Sequence, residues 1–125
     1  MNTAILSLGS NSTDKEMQIA KCIEWLKRNS SIQSASSVYC TPATNGCGTI
    51  YSNAVVKTCT DLSREEYTDM MKRYERNCGR TPQSKLLGVI PIDIDVVIWN
   101  DATLRPKDFT QEYFTIGWNE INSNL

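Results

Sequence analysis

Apolar and polar positions along this chain follow two periods, and the switches between them divide it into elements. Ala4 to Leu8 is a short apolar run closed by Gly9-Ser10-Asn11, the pattern of a buried strand ending in a turn. Thr13 and Glu16 stand at capping-box spacing. Ile19, Cys22, Ile23 and Leu26 then recur at i, i+3, i+4 and i+7, which predicts a helix reaching about Asn29. Residues 32–39 read as a strand leading into Thr41-Pro42, and Asn53 to Thr60 as another, with a loop rich in Thr, Asn and Gly between them.

Ser63 and Glu66 form a second capping box, flanked by Leu62 and Tyr67 at the positions of a hydrophobic staple. Tyr67, Met70, Met71 and Tyr74 carry the helical stripe onward to Cys78-Gly79. Residues 80–91 contain two prolines and Gly88 with no period, so they read as a long connection, a kind of segment that is often functional. A last strand follows from Ile92 to Trp99 and turns at Asn100-Asp101; residues 104–125 show no assignable pattern. The order β-α-β-β-α-β predicts an α+β, ferredoxin-like sandwich: an antiparallel sheet with both helices on one face and the other face open for a ligand.

The 125 residues suit a single domain spanning 1–125. Hydrophobic residues at 40% and charged residues at 22% exclude the composition of a disordered chain. A formal net charge of -1 offers no global field for a polyanion, so nucleic acid is not an expected partner. Five cysteines without a C-x-x-C pair, and no histidine, leave no usual zinc set. Acid-base work would fall to carboxylates, Lys, Tyr or water. Neither a signal peptide nor a membrane-spanning stretch is visible, so the expectation is a cytoplasmic protein with reduced thiols and no membrane partner. The oligomeric state is not legible.

Within Ile92-Asp93-Ile94-Asp95-Val96-Val97-Ile98-Trp99, two carboxylates stand two residues apart among apolar and β-branched neighbours. On a strand such residues share a face about 7 Å apart. The pair has two readings: a magnesium site completed by the phosphates of a nucleoside triphosphate, or the solvated face of a half-exposed strand.

Five segments in order then resemble one family. They are Leu8-Gly9-Ser10-Asn11, Val38-Tyr39-Cys40-Thr41-Pro42, Tyr51-Ser52-Asn53-Ala54, Glu75 with Gly79-Arg80, and Ile92-Asp93-Ile94-Asp95. With them the chain resembles a short and divergent 6-hydroxymethyl-7,8-dihydropterin pyrophosphokinase of folate biosynthesis. The resemblance implies transfer of pyrophosphate from ATP to the hydroxymethyl group of a reduced pterin, releasing AMP. It implies two Mg²⁺ ions on Asp93 and Asp95, with Arg80 joining them in catalysis. Thr41, Pro42, Tyr51, Asn53 and Phe114 would bind the pterin; Lys72, Glu75, Arg80 and Lys107 would bind ATP.

The chain also departs from that family's pattern. Ile90 stands where the family carries an arginine, and Lys107 to Phe114 supplies no arginine although Tyr113 or Phe114 could supply a ring. Two lost guanidinium groups predict weakened transfer, or a catalytically silent protein that binds a pterin or nucleotide without transferring anything.

Overall fold

The computed structural model describes residues 1–123. Its elements are β1 (Asn2–Ser10), α1 (Lys15–Asn29), β2 (Ser31–Ala35), β3 (Tyr39–Pro42), β4 (Ile50–Thr60), α2 (Arg64–Asn77), α3 (Pro82–Leu86), β5 (Asp93–Trp99), β6 (Ala102–Thr103) and α4 (Glu112–Ser123). The strands pair antiparallel in the order β2-β4-β1-β5-β6, with β3 also on β4. This is the predicted α+β sandwich.

Alternation along the central strands sends Ala4, Leu6, Leu8, Ala54, Val56 and Ile94 to one face. Ile19, Cys22 and Leu26 of α1, with Tyr67 and Met71 of α2, close over them in the larger core cluster. The predicted Ser63/Glu66 box caps α2: Glu66 N donates to Ser63 Oγ at 3.1 Å and Ser63 N to Glu66 Oε1 at 3.0 Å. The box predicted for α1 does not form. Asp14, not Thr13, is the N-cap, and its carboxylate accepts from Ser12 Oγ at 2.7 Å rather than from the helix amides.

The strand expected over 32–39 is two pieces on one edge of β4. Between them Ser36 continues the pairing in part through its side chain, its N donating to Val55 O and its Oγ accepting from Val55 N, both at 2.9 Å. Ser37 turns out of the ladder, its N and Oγ donating to the carboxylate of Glu120 on α4. The connection after Arg80 contains the short helix α3, opened by a box between Thr81 and Ser84 with Pro82 at its first turn.

The largest difference lies past Trp99. A single-turn 3-10 segment, Pro106–Thr110, leads into α4, which packs Phe114 and Ile121 on Ile5, Val55 and Val97. The sheet face expected to be wholly open is therefore covered at one end. Gly117 permits the approach, because a Cβ there would stand 2.6 Å from Val55 Cγ2. No described helix is long and apolar enough to cross a membrane.

Candidate active site

Three neighbouring strands change character at the same level of this second face. Ile5, Val55 and Val97 lie under α4. One step along each strand come Ser7 and Gly9, Asn53 and Tyr51, and Asp95 and Asp93, all lining one cavity of about 250 Å³. The register brings them level: Ser7 is opposite Asp95, and Gly9 lies between Asn53 on one side and Asp93 on the other. The sequence thus builds a dry contact for α4 and a polar floor beside it from the same period-two alternation.

Each carboxylate meets a guanidinium. Asp93 accepts from Nη1 of Arg80, and the same nitrogen donates to Glu75 Oε2 at 3.2 Å. Burial works against the charge on Arg80, but Asp93, Glu75 and Asp95 outweigh it and raise its pKa. Asp95 lies 3.8 Å from Nη1 of Arg105. Burial, followed by the neighbouring charge of Asp93, pushes the Asp95 carboxyl up to about 7. A carboxylate so placed keeps its proton up to about neutral pH, and a divalent cation is the natural replacement for that proton. Among the described residues no cluster of three His, Cys, Asp or Glu side chains could form a protein-only cage. Two hard oxygen donors opening on a cavity suit Mg²⁺, which keeps waters and takes its remaining oxygens from a substrate.

The other wall of the cavity can read a flat polar ring. Asn53 is buried, and its Nδ2 donates to Thr41 Oγ1 at 2.8 Å, fixing the amide plane. Tyr51 stands beside it, its hydroxyl accepting from Asn11 Nδ2 at 3.4 Å. Gly9 leaves room between them: a Cβ there would lie 3.6 Å from Asn53 Oδ1 and 3.8 Å from Tyr51 Cδ2, filling space without a clash. Pro42, Ala43 and Thr44 form the rim.

Comparison with known proteins bears directly on this arrangement. The family of 7,8-dihydro-6-hydroxymethylpterin-pyrophosphokinase (HPPK) matches residues 5–123. The chain belongs to the HPPK family. A 2-amino-4-hydroxy-6-hydroxymethyldihydropteridine pyrophosphokinase of Aquifex aeolicus is 35% identical over 109 residues, covering 86% of this chain and 67% of the relative. The folic acid synthesis protein FOL1 of Dictyostelium discoideum is 29% identical over 108 residues, 86% of this chain but 16% of that protein.

For this HPPK chain the fold gathers Asp93, Asp95, Thr41, Pro42, Tyr51 and Asn53 on one cavity. Arg80 reaches it by way of Asp93. Other residues expected at the site lie elsewhere. Phe114 is fully buried in the α4 contact, stacked on Trp118 with ring centroids 5.7 Å apart; the neighbouring Tyr113 is the ring that faces the cavity. Glu75 is turned into the protein, 3% exposed, where it accepts from Ile94 N at 2.7 Å and ties α2 to β5. Lys107 is exposed on the 3-10 turn and is absent from the cavity lining. Lys72 contacts Glu75 at 3.4 Å and lines a second cavity, of about 310 Å³, with Arg64, Asp95 and Arg105.

Arg105 is the residue that the sequence reading passes over. It stands just before Pro106-Lys107, and the loop that carries it is held by the carbonyl of Val97 on the preceding strand β5. Pairing of β1 with β5 skips Val97 as a bulge, and Val97 O accepts from both Leu104 N at 2.8 Å and Arg105 N at 3.3 Å.

Proposed function

We propose that this chain transfers pyrophosphate from ATP to 6-hydroxymethyl-7,8-dihydropterin and releases AMP, a step of folate biosynthesis. The observation that carries this reading is the shared cavity: Asp93 and Asp95 face the same space as Asn53, Thr41 and Tyr51. A metal-bound polyphosphate and a pterin held there have their reacting ends beside each other, and positioning is the larger part of catalysis in this class of reaction.

Asn53 offers both a donor and an acceptor edge, matched to the amide edge of a pterin. Tyr51 and the Pro42 rim supply an aromatic and an apolar wall for the ring. Asp93 and Asp95 would hold Mg²⁺, two ions being expected, which would supply positive charge against the phosphates and lower the pKa of an attacking hydroxyl. Arg80, held between Asp93 and Glu75, keeps Asp93 in register and places a guanidinium beside the cavity for phosphate. The pterin hydroxymethyl oxygen forms a bond to the β-phosphorus while the bond from that phosphorus to the α-phosphate oxygen breaks. AMP departs and the hydroxyl proton is released to water.

No histidine is required. The carboxylates act through charge and placement, and the guanidinium groups oppose the charge that builds up on the leaving oxygen. The reading is tested by incubating the chain with Mg²⁺, ATP and hydroxymethyl-dihydropterin and measuring AMP. AMP formation that depends on the pterin and is abolished in Asp95→Ala is the expected result. Tight nucleotide binding with no AMP would select the silent alternative.

A further inference from the structure

Within the 3-10 turn sits a buried carboxylate that the reaction as described does not use. Asp108 is 2% exposed. Its Oδ2 accepts from Nε of Arg105 at 2.8 Å, and its Oδ1 accepts from the hydroxyl of Tyr113 at 2.6 Å. Both partners line the cavity; Asp108 itself does not. Arg105 is half exposed, and long cationic side chains so exposed normally sample many rotamers. Here the Nε edge is fixed, which leaves the Nη edge of the guanidinium facing Asp95.

Arg105 also stands at a junction. It and Asp95 line both the 250 Å³ cavity and the 310 Å³ cavity that Arg64 and Lys72 border. Three cations around one hollow, with a carboxylate at its mouth, suit a chain of phosphates running from a metal on Asp95. No cation comes from the 88–91 segment, where Gly88 O and the backbone of Ile90 are tied to Asn11 instead.

We propose that Asp108 is a positioning residue that locks Arg105 as the polyphosphate clamp of this chain. Tyr113, held by the other carboxylate oxygen, is locked as part of the cavity wall by the same residue. The proposal rests on the nucleotide-binding part of the function proposed above. It makes a specific demand: the benefit of Asp108 must pass through the Nε contact with Arg105.

The test is a double-mutant cycle read by calorimetric binding of Mg²⁺ with a non-hydrolysable ATP analogue, alongside AMP formation. Arg105→Gln should weaken nucleotide binding about tenfold or more. Asp108→Asn should weaken it several-fold in the unmutated background and leave it unchanged in the Arg105→Gln background. Arg105→Lys keeps the charge but loses Nε, so it should resemble Arg105→Gln; it decides the matter even where Asp108→Asn does not fold. Equal losses from Asp108→Asn in both backgrounds, or full binding by Arg105→Lys, would overturn the proposal while the unmutated chain still forms AMP. An unmutated chain that binds nucleotide with this coupling but forms no AMP would instead sink the transfer reading and leave the clamp standing.

Discussion

The hydroxyl of Tyr39 stands inside the hydrogen-bond ladder of α4, accepting from the amide of Gly117 at 3.1 Å and donating to the carbonyl of Tyr113 at 2.7 Å. A strand residue thus bridges two groups one helical turn apart, and burial pushes its phenol up to about 12, so it remains a donor at any working pH. The contact ties the first turn of α4 to β3 and therefore sets where the ring of Tyr113 meets the cavity.

Gly117→Ala is expected to be the most damaging small substitution in α4. The added methyl would meet Val55 Cγ2 at 2.6 Å and Tyr39 Oη at 2.8 Å, and neither can retreat from a packed sheet. Overpacking of this kind costs about 1–3 kcal/mol. Tyr39→Phe should cost about 1 kcal/mol, because the helix can close its own bond once the hydroxyl is gone. Urea midpoints of the two variants check the order.

Much of this was legible in the chain itself. The Ser63/Glu66 cap, both helical stripes and the Asp93/Asp95 pair are local patterns, and each forms where its spacing puts it. What escaped is non-local. The stripe of α4 is only Phe114, Gly117 and Ile121, with a glycine where an apolar side chain would advertise a face, because backbone contact with Val55 replaces side-chain contact there. The turn out of the ladder at Ser37 depends on Glu120, 83 residues away, and the place of Arg105 depends on Val97 O, exposed to it where the pairing of β1 with β5 bulges. Glu75 is expected with Lys72 among the ATP-binding residues, and nothing nearby in sequence signals that Ile94 N will take it inward.

Glu75 should accordingly matter to stability before it matters to nucleotide. Glu75→Gln keeps an acceptor for Ile94 N and is expected to cost about 1–2 kcal/mol, while Glu75→Ala leaves that amide unpaired and should cost about 3 kcal/mol or more. Thermal or urea unfolding gives the values. A loss of nucleotide affinity in Glu75→Gln with no loss of stability would count against the inward role.

Asp95 gives the metal-free protein a particular pH dependence. Its carboxyl, at about 7 in the folded chain, lies well above the ordinary aspartate range, because burial and the neighbouring Asp93 disfavour its charge. The folded chain therefore holds that proton more tightly than the unfolded one. This contribution is complete below the unfolded value and is lost as pH rises through about 7. In the presence of a chelator, Asp95→Asn should gain on the unmutated protein by roughly 2 kcal/mol between pH 5 and pH 8. Mg²⁺-dependent nucleotide binding should tighten over the same window, since the cation displaces the proton. Urea midpoints and calorimetry at both pH values would show it, and a flat difference between variant and parent would remove the proton from Asp95.

The proposed pterin side of the cavity can be separated from the proposed phosphate side by two small changes. Asn53→Ala removes the amide and also frees Thr41 Oγ1, so it should weaken pterin binding about tenfold, in line with the loss of one or two buried hydrogen bonds. Gly9→Ala keeps every hydrogen bond and meets nothing closer than 3.6 Å, so it should leave stability nearly unchanged. Its methyl nevertheless stands between Asn53 and Tyr51, in the space a flat ring needs, and should weaken pterin binding while ATP binding holds. Calorimetry with each ligand alone distinguishes the two effects. If Gly9→Ala lowered ATP affinity as much as pterin affinity, the division of the cavity between Asn53 and Asp95 would have to be redrawn.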